Sequence, residues 1–315
     1  MDRLDAVQGL LFGAAVGDAL GVPAEFAPRE ALKKNPVTDF TGGGVHNQPP
    51  GTFSDDASLL FCLAEALIQG FDTGIMGKNF VKWMGEGYWA AAGTVFDIGG
   101  ATLRAIRAIA QGVEPELAGG AGENDNGNGS LMRIAPLVFY SYNKPARERF
   151  DAARKVSSLT HRHIRSVIAC FYYLEFMSRA FEGKALKDIY ADLKTSLPLA
   201  LTPLIDPAEL AAFDRLLKDD IASLPETAIQ SGGYAVHTLE AALWCVLTTA
   251  GYKDAVLKAV NLGGDADTAG CVAGALAGLY YGYPAIPRAW VQGILKRDEI
   301  AGLGRRLYKA FFHKP

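Results

Sequence analysis

Ala269-Gly270-Cys271-Val272-Ala273-Gly274-Ala275-Leu276-Ala277-Gly278-Leu279 is the stretch that decides the architecture. It carries no charged side chain, so as a helix it has no face suited to water and its N-terminal end must lie inside the fold. Gly263-Gly264-Asp265-Ala266-Asp267-Thr268 stands directly before it, placing two carboxylates and a hydroxyl at a glycine turn. Buried carboxylates are costly unless they are paired or bind a cation. The glycines at 270, 274 and 278 recur every fourth residue, and the N-terminal helix expected over 4–21 repeats the device with Gly9, Gly13, Gly17 and Gly21. Each such glycine costs about 1 kcal/mol against alanine in a helix interior, so the spacing needs a structural return. A glycine ridge on each helix allows very close approach. The two helices are therefore expected to lie together in the core, and Pro23 is expected to stop the first one just before Glu25.

Outward from this pair, alanine, leucine and charged residues at helical period dominate, and β-branched alternation is scarce. The pattern predicts an all-α fold in a single domain spanning 1–315. Further helices are expected over 57–67, 75–84, 100–111, 130–142, 147–159, 164–181, 183–194, 207–222, 237–250, 252–261, 266–281 and 298–312. Residues 35–53 read as a glycine- and proline-broken loop, 114–129 as a polar loop, and 197–207 as a packed apolar loop. A formal net charge of −3 gives no footprint for a nucleic-acid backbone. Cys62, Cys170, Cys245 and Cys271 are scattered singly through apolar runs, which suits buried reduced thiols and a cytoplasmic setting. The N-terminal residues Met1-Asp2-Arg3-Leu4-Asp5 lack the basic start of a signal peptide. No stretch approaches the ~20 uninterrupted apolar residues of a membrane span.

Ser54-Asp55-Asp56 repeats the logic of the opening stretch: a hydroxyl and paired carboxylates begin an apolar helix. Capping explains one such site, since Ser and Asp are good N-caps and acids favour a helix N-terminus. Two such sites change the balance. If both helix starts meet, Asp55, Asp56, Asp265 and Asp267 surround one point with the hydroxyls of Ser54 and Thr268. An all-oxygen set selects hard cations, Mg²⁺, Mn²⁺ or Ca²⁺, over zinc or copper. In the run Asn126-Gly127-Asn128-Gly129, exposed backbone N–H groups can form an anion nest, or the run is a plain flexible turn. Arg133 follows it, as a structural residue or one facing a phosphate.

These motifs, in order, resemble the ADP-ribosylglycohydrolase family, including the dinitrogenase reductase-activating glycohydrolases. The set is Gly17-Asp18-Ala19-Leu20-Gly21 with Glu25, Ser54-Asp55-Asp56, Phe96-Asp97-Ile98-Gly99, Gly127-Asn128-Gly129-Ser130-Leu131-Met132-Arg133, Thr160-His161, Gly232-Gly233-Tyr234 with Thr238-Leu239-Glu240-Ala241-Ala242, and Gly264-Asp265-Ala266-Asp267-Thr268. The resemblance implies a compact orthogonal multi-helix fold with two divalent cations, Mg²⁺ or Mn²⁺, held by Ser54, Asp55, Asp56, Asp265, Asp267 and Thr268. It implies catalytic roles for Asp97 and Glu25 beside Asp56 and Asp267. It places Asn128, Gly129, Ser130 and Met132 along an ADP-ribose groove, His161 against phosphate or ribose, and Tyr234 on the adenine. Ala57 stands where the family often has threonine.

The implied activity is metal-dependent hydrolysis that removes ADP-ribose from an ADP-ribosylated protein, with arginine as the favoured acceptor and free ADP-ribose as product. Other readings are a binding or structural protein on the same fold with catalysis lost, a hydrolase of serine-linked or O-acetyl-ADP-ribose, and a metal phosphohydrolase acting on a nucleotide.

Overall fold

The two glycine ridges face each other. In the computed structural model, which describes residues 2–313, α1 (Arg3–Gly21) runs antiparallel to α15 (Ala266–Tyr281), and the other helices are arranged around this pair. In chain order they are α2 (Arg29–Lys34), α3 (Asp55–Gln69), α4 (Thr73–Glu86), α5 (Gly100–Ala110), α6 (Pro115–Ala118), α7 (Leu137–Ser141) and α8 (Ala146–Ser158). There follow α9 (Ile164–Phe181), α10 (Leu186–Leu201), α11 (Pro207–Leu210), α12 (Asp214–Leu217), α13 (Ala235–Leu247), α14 (Tyr252–Val260), α16 (Arg288–Gly293) and α17 (Arg297–Phe312). No strand occurs among the described residues, and the fold class is all-α. Met1, Lys314 and Pro315, at the ends of the domain expected over 1–315, lie outside the described residues.

Gly9 meets Gly278, Gly13 meets Gly274, and Gly17 meets Gly270, each so closely that a β-carbon would strike the partner's carbonyl oxygen. Gly21 meets the backbone of Ala266 and Asp267. The end of α1 is thereby fixed against the start of α15. Two buried tyrosines tie neighbouring helices to the pair: the Tyr252 hydroxyl on α14 donates to Gly13 O at 2.9 Å, and the Tyr173 hydroxyl on α9 donates to Val272 O at 2.7 Å. α1 is long and apolar enough to cross a membrane, yet 94 % of its apolar window is buried inside the protein. Its hydropathy is the signature of a central core helix.

As expected, α1 gives way at Pro23, where Val22–Ala24 forms a 3-10 turn. Three expectations are corrected. Residues 130–136 form turns, and α7 begins only after Pro136, which has no N–H for an earlier helical bond. α10 starts beyond Gly183, whose φ is +86°, and continues through Pro198 to Leu201, so much of the supposed loop at 197–207 is helical. The helix expected over 207–222 is a chain of short turns, restarted by the side chains of Asp206 and Asp220 as caps. The four cysteines are free and buried.

Candidate active site

The antiparallel α1–α15 pair dictates where the chemistry sits. α1 ends beside Asp267, so Glu25, four residues past Gly21, returns to the mouth of α15. α3 enters the same place from another direction. The Thr268 hydroxyl at the start of α15 donates to Asp56 Oδ1 at the start of α3, at 3.3 Å. Both helix N-termini therefore meet. They open on a cleft of about 450 Å³ whose acidic wall is Glu25, Asp55, Asp56, Asp97 and Asp265.

Capping accounts for one helix start and not for the other. At α3, the Ser54 hydroxyl accepts from Asp56 N at 3.2 Å, while Asp18 of α1 accepts from Ser54 N at 2.8 Å and from Ala57 N at 2.9 Å. Ala57 thus contributes its backbone rather than a hydroxyl. Of the expected ligands, Asp55, Asp56, Asp265 and Thr268 line the cleft, whereas Asp267 is buried behind it and Ser54 is buried with its hydroxyl engaged in the cap. At α15, Asp265 makes no cap bond. Its Oδ2 instead accepts from Asn128 Nδ2 at 2.7 Å, and that amide also donates to Thr238 Oγ1 at 2.9 Å.

Oxygens of Glu25, Asp265 and Asp267 all lie within 4.8 Å of one another. Burial, then repulsion from Asp97, raises the Glu25 carboxyl to about 7. Burial raises Asp18 to about 7 despite its two backbone hydrogen bonds. Asp55, Asp56 and Asp267 are pushed well up, by burial first and then by Asp97, Asp267 and Asp265 respectively. Asp56 Oδ2 is buried without a partner. Crowded carboxylates with an unsatisfied oxygen, opening on a cleft, fit a hard divalent cation. Native hydrogen-bond networks leave few such orphans, and this one is a carboxylate oxygen amid other carboxylates.

Asp97 stands beside Glu25 in the acidic wall, with a left-handed backbone at φ +48°. It does not cap α5, whose N-cap is Gly99 with no side-chain bond. His46, from the glycine-rich loop, bonds to the Glu25 carboxylate and stands 3.8 Å from Asp97 Oδ1. Asn128, Gly129, Met132 and His161 line the cleft. Their segment is pinned by Asn128 N donating to Gly233 O at 3.0 Å and Ala235 N donating to Asn126 O at 3.1 Å.

His161 is buried, and burial lowers it to about 3, so it presents a neutral ring whose Nδ1 is 2.8 Å from the Thr160 hydroxyl. Two expected groove residues lie elsewhere. The Ser130 hydroxyl faces the core, accepting from Ser157 Oγ at 2.8 Å. Tyr234 is outside the cleft lining, with its ring 4.9 Å from that of His237. Arg133 is fully buried, bonded to the carbonyls of Gly129 and Val156 and stacked on Phe80, which makes it structural.

Sequence reasoning assigned no role to Asp18, His46 or Phe26. Asp18 had a signal, as the one acid inside the α1 glycine ridge. His46 and Phe26 sit in irregular segments whose approach to the cleft no local pattern reveals.

The family model described as ADP-ribosylglycohydrolase matches residues 1–315. The chain belongs to the ADP-ribosylglycohydrolase family. It is a glycohydrolase, as the family model over its whole length and the relatives named as ADP-ribosylarginine hydrolases support. It is 31 % identical to the ADP-ribosylarginine hydrolase Tri1 of Serratia proteamaculans, over 98 % of this chain and 80 % of that protein. It is 33 % identical to the Tri1 of Pseudomonas putida, over 97 % of this chain and 78 % of that one. The ADP-ribosyl-[dinitrogen reductase] glycohydrolase of Rhodospirillum rubrum is 28 % identical over 91 % of this chain and 89 % of its own. A solved ADP-ribosylglycohydrolase-related protein complex superposes with a TM-score of 0.82 at 35 % identity, covering 99 % of both chains. Within this family frame, the acidic cleft between α1, α3 and α15 is the candidate active site.

Proposed function

We propose that this chain removes ADP-ribose from ADP-ribosylated arginine on a protein, with two Mg²⁺ or Mn²⁺ ions in the acidic cleft. The observation that carries the reading is the meeting of the two helix starts, with Thr268 bonded to Asp56 and Asp56 Oδ2 left without a partner. The arginine acceptor is supported by the relatives named ADP-ribosylarginine hydrolase. Asp55, Asp56, Asp265, Asp267 and Thr268 would hold the cations, with Ser54 contributing through its cap of α3. When bound, such ions polarise substrate oxygens and lower the pKa of a bound water.

The chain's own residues do the rest. Asn128, Gly129 and Met132 form the wall along which the ADP-ribose lies, and neutral His161 offers its ring without a charge. Ser130 and Tyr234 support that wall from behind and beside it. Asp97 and Glu25 face the scissile bond. As the bond from the ribose anomeric carbon to the guanidino nitrogen breaks, a water oxygen bonds to that carbon and its proton passes to Asp97. That proton then goes to the departing guanidine, and positive charge developing on the sugar is balanced by the flanking carboxylates. Burial raises the Asp97 carboxyl, which suits a group that must take up and return a proton.

The test is to incubate the protein and Mg²⁺ or Mn²⁺ with arginine-, serine- and O-acetyl-linked ADP-ribose, with Asp267→Asn as control. Release of ADP-ribose from the arginine conjugate, lost in the control, is expected. Binding of ADP-ribose without release from any conjugate would leave a binding protein instead, and phosphate release would indicate a phosphohydrolase.

A further inference from the structure

Phe26 follows Glu25 directly, and its ring stands at the cleft mouth 64 % exposed. Its backbone is left-handed at φ +61°, a conformation that a bulky residue rarely adopts. The segment is nevertheless held firmly. Phe26 N donates to Gly264 O at 2.6 Å, and Gly264 N donates to Ala27 O at 3.0 Å, locking it to the turn that carries Asp265. Neither burial nor backbone preference explains an aromatic ring fixed in this place. Its centroid is 6.4 Å from the His46 ring, which in turn lies 5.4 Å from Phe96, so three rings follow one another behind the cleft mouth. Glu25 and Asp97 lie on the same side. An aromatic face flanked by carboxylates has the chemistry to receive a flat, delocalised cation.

We propose that Phe26 is an acceptor-side contact, its ring packing against the guanidinium of the modified arginine while the glycosidic bond faces Glu25 and Asp97. The inference rests on the arginine reading above. It makes Phe26 a residue that recognises the acceptor rather than the nucleotide. His46 and Phe96 back the rim on which the ring stands.

The test compares wild type with Phe26→Asn, which tolerates the left-handed backbone but lacks the ring, and Phe26→Tyr, which keeps a ring. Steady-state kinetics on ADP-ribosyl-arginine are measured alongside calorimetric binding of free ADP-ribose. Phe26→Asn is expected to raise KM about 3- to 30-fold, with kcat and the ADP-ribose Kd each held within about twofold. Phe26→Tyr is expected to restore KM. A comparable loss of ADP-ribose affinity would overturn the proposal, because the ring would then serve the nucleotide. A fall in kcat at unchanged KM would also overturn it, since Phe26 would then act only through Glu25, and so would no effect at all. Wild type inactive on the arginine conjugate would overturn the arginine reading and this inference together. An active wild type with indifferent variants would overturn this inference alone.

Discussion

Asp97 and His161 carry opposite electrostatic assignments in one cleft. Burial raises the Asp97 carboxyl, and the same burial pushes the His161 imidazole down to about 3. Replacing Asp97 with asparagine keeps the shape and removes the proton acceptor. Asp97→Asn is expected to lower kcat by about 10²- to 10⁴-fold while leaving ADP-ribose affinity and melting temperature nearly unchanged, as kinetics, calorimetry and thermal unfolding would register. For His161 the folded value of about 3 lies below the ordinary 6.5, so its neutral form contributes stability fully above pH 6.5. That contribution is lost as pH falls from 6.5 towards 3. His161→Gln should therefore flatten the acid side of the stability–pH curve, read by urea unfolding at intervals between those values. A curve as steep as that of wild type would show that the ring is charged in the native protein.

At the scale of helices, the α1–α15 pair is the element on which the site depends. A β-carbon at Gly274 would strike Gly13 O, whereas the same atom at Gly85 of α4 meets nothing within 4 Å. Gly274→Ala is expected to destabilise by about 1–3 kcal/mol, and Gly85→Ala to stabilise by about 0.5–1 kcal/mol, both from denaturant midpoints. Asp18 joins α1 to α3 by capping it, and Asp18→Ala leaves two buried N–H donors without that acceptor, a loss on the order of 2 kcal/mol. The pairing of α1 with α15 was legible in the sequence because four-residue glycine spacing has few other uses. The carboxylates at the two helix starts were legible for a similar reason, since acids before an apolar helix need an explanation. The breaks around Pro136, and the run of α10 through Pro198, were not legible. A proline delays the start of one helix and is tolerated in the last turn of another, and tertiary packing decides which. Phe26 is held at the cleft by its backbone bond to Gly264, so its position depends on a contact between segments more than 200 residues apart in the chain.

For the whole molecule, the acids of the cleft set a conflict that a cation resolves. Asp18 and Glu25 are raised to about 7, and Asp55, Asp56 and Asp267 are also pushed well up by burial and mutual repulsion. Groups with raised values contribute stability below their ordinary pKa and lose it as pH rises through the folded value. Without divalent cations the protein should therefore be more stable near pH 5 than near pH 8, as urea unfolding at the two values would show. Adding Mn²⁺ should raise the melting temperature more at the higher pH, where carboxylates are free to bind it. On this reading α3 and α15 together build one dinuclear cation site. Calorimetric titration of Mn²⁺ into metal-stripped protein, wild type against Asp56→Asn and Asp267→Asn, tests it most directly. Two ions per chain in wild type, with loss of at least one in each variant, is the predicted result. No binding by wild type, or an undiminished stoichiometry and affinity in both variants, would contradict it.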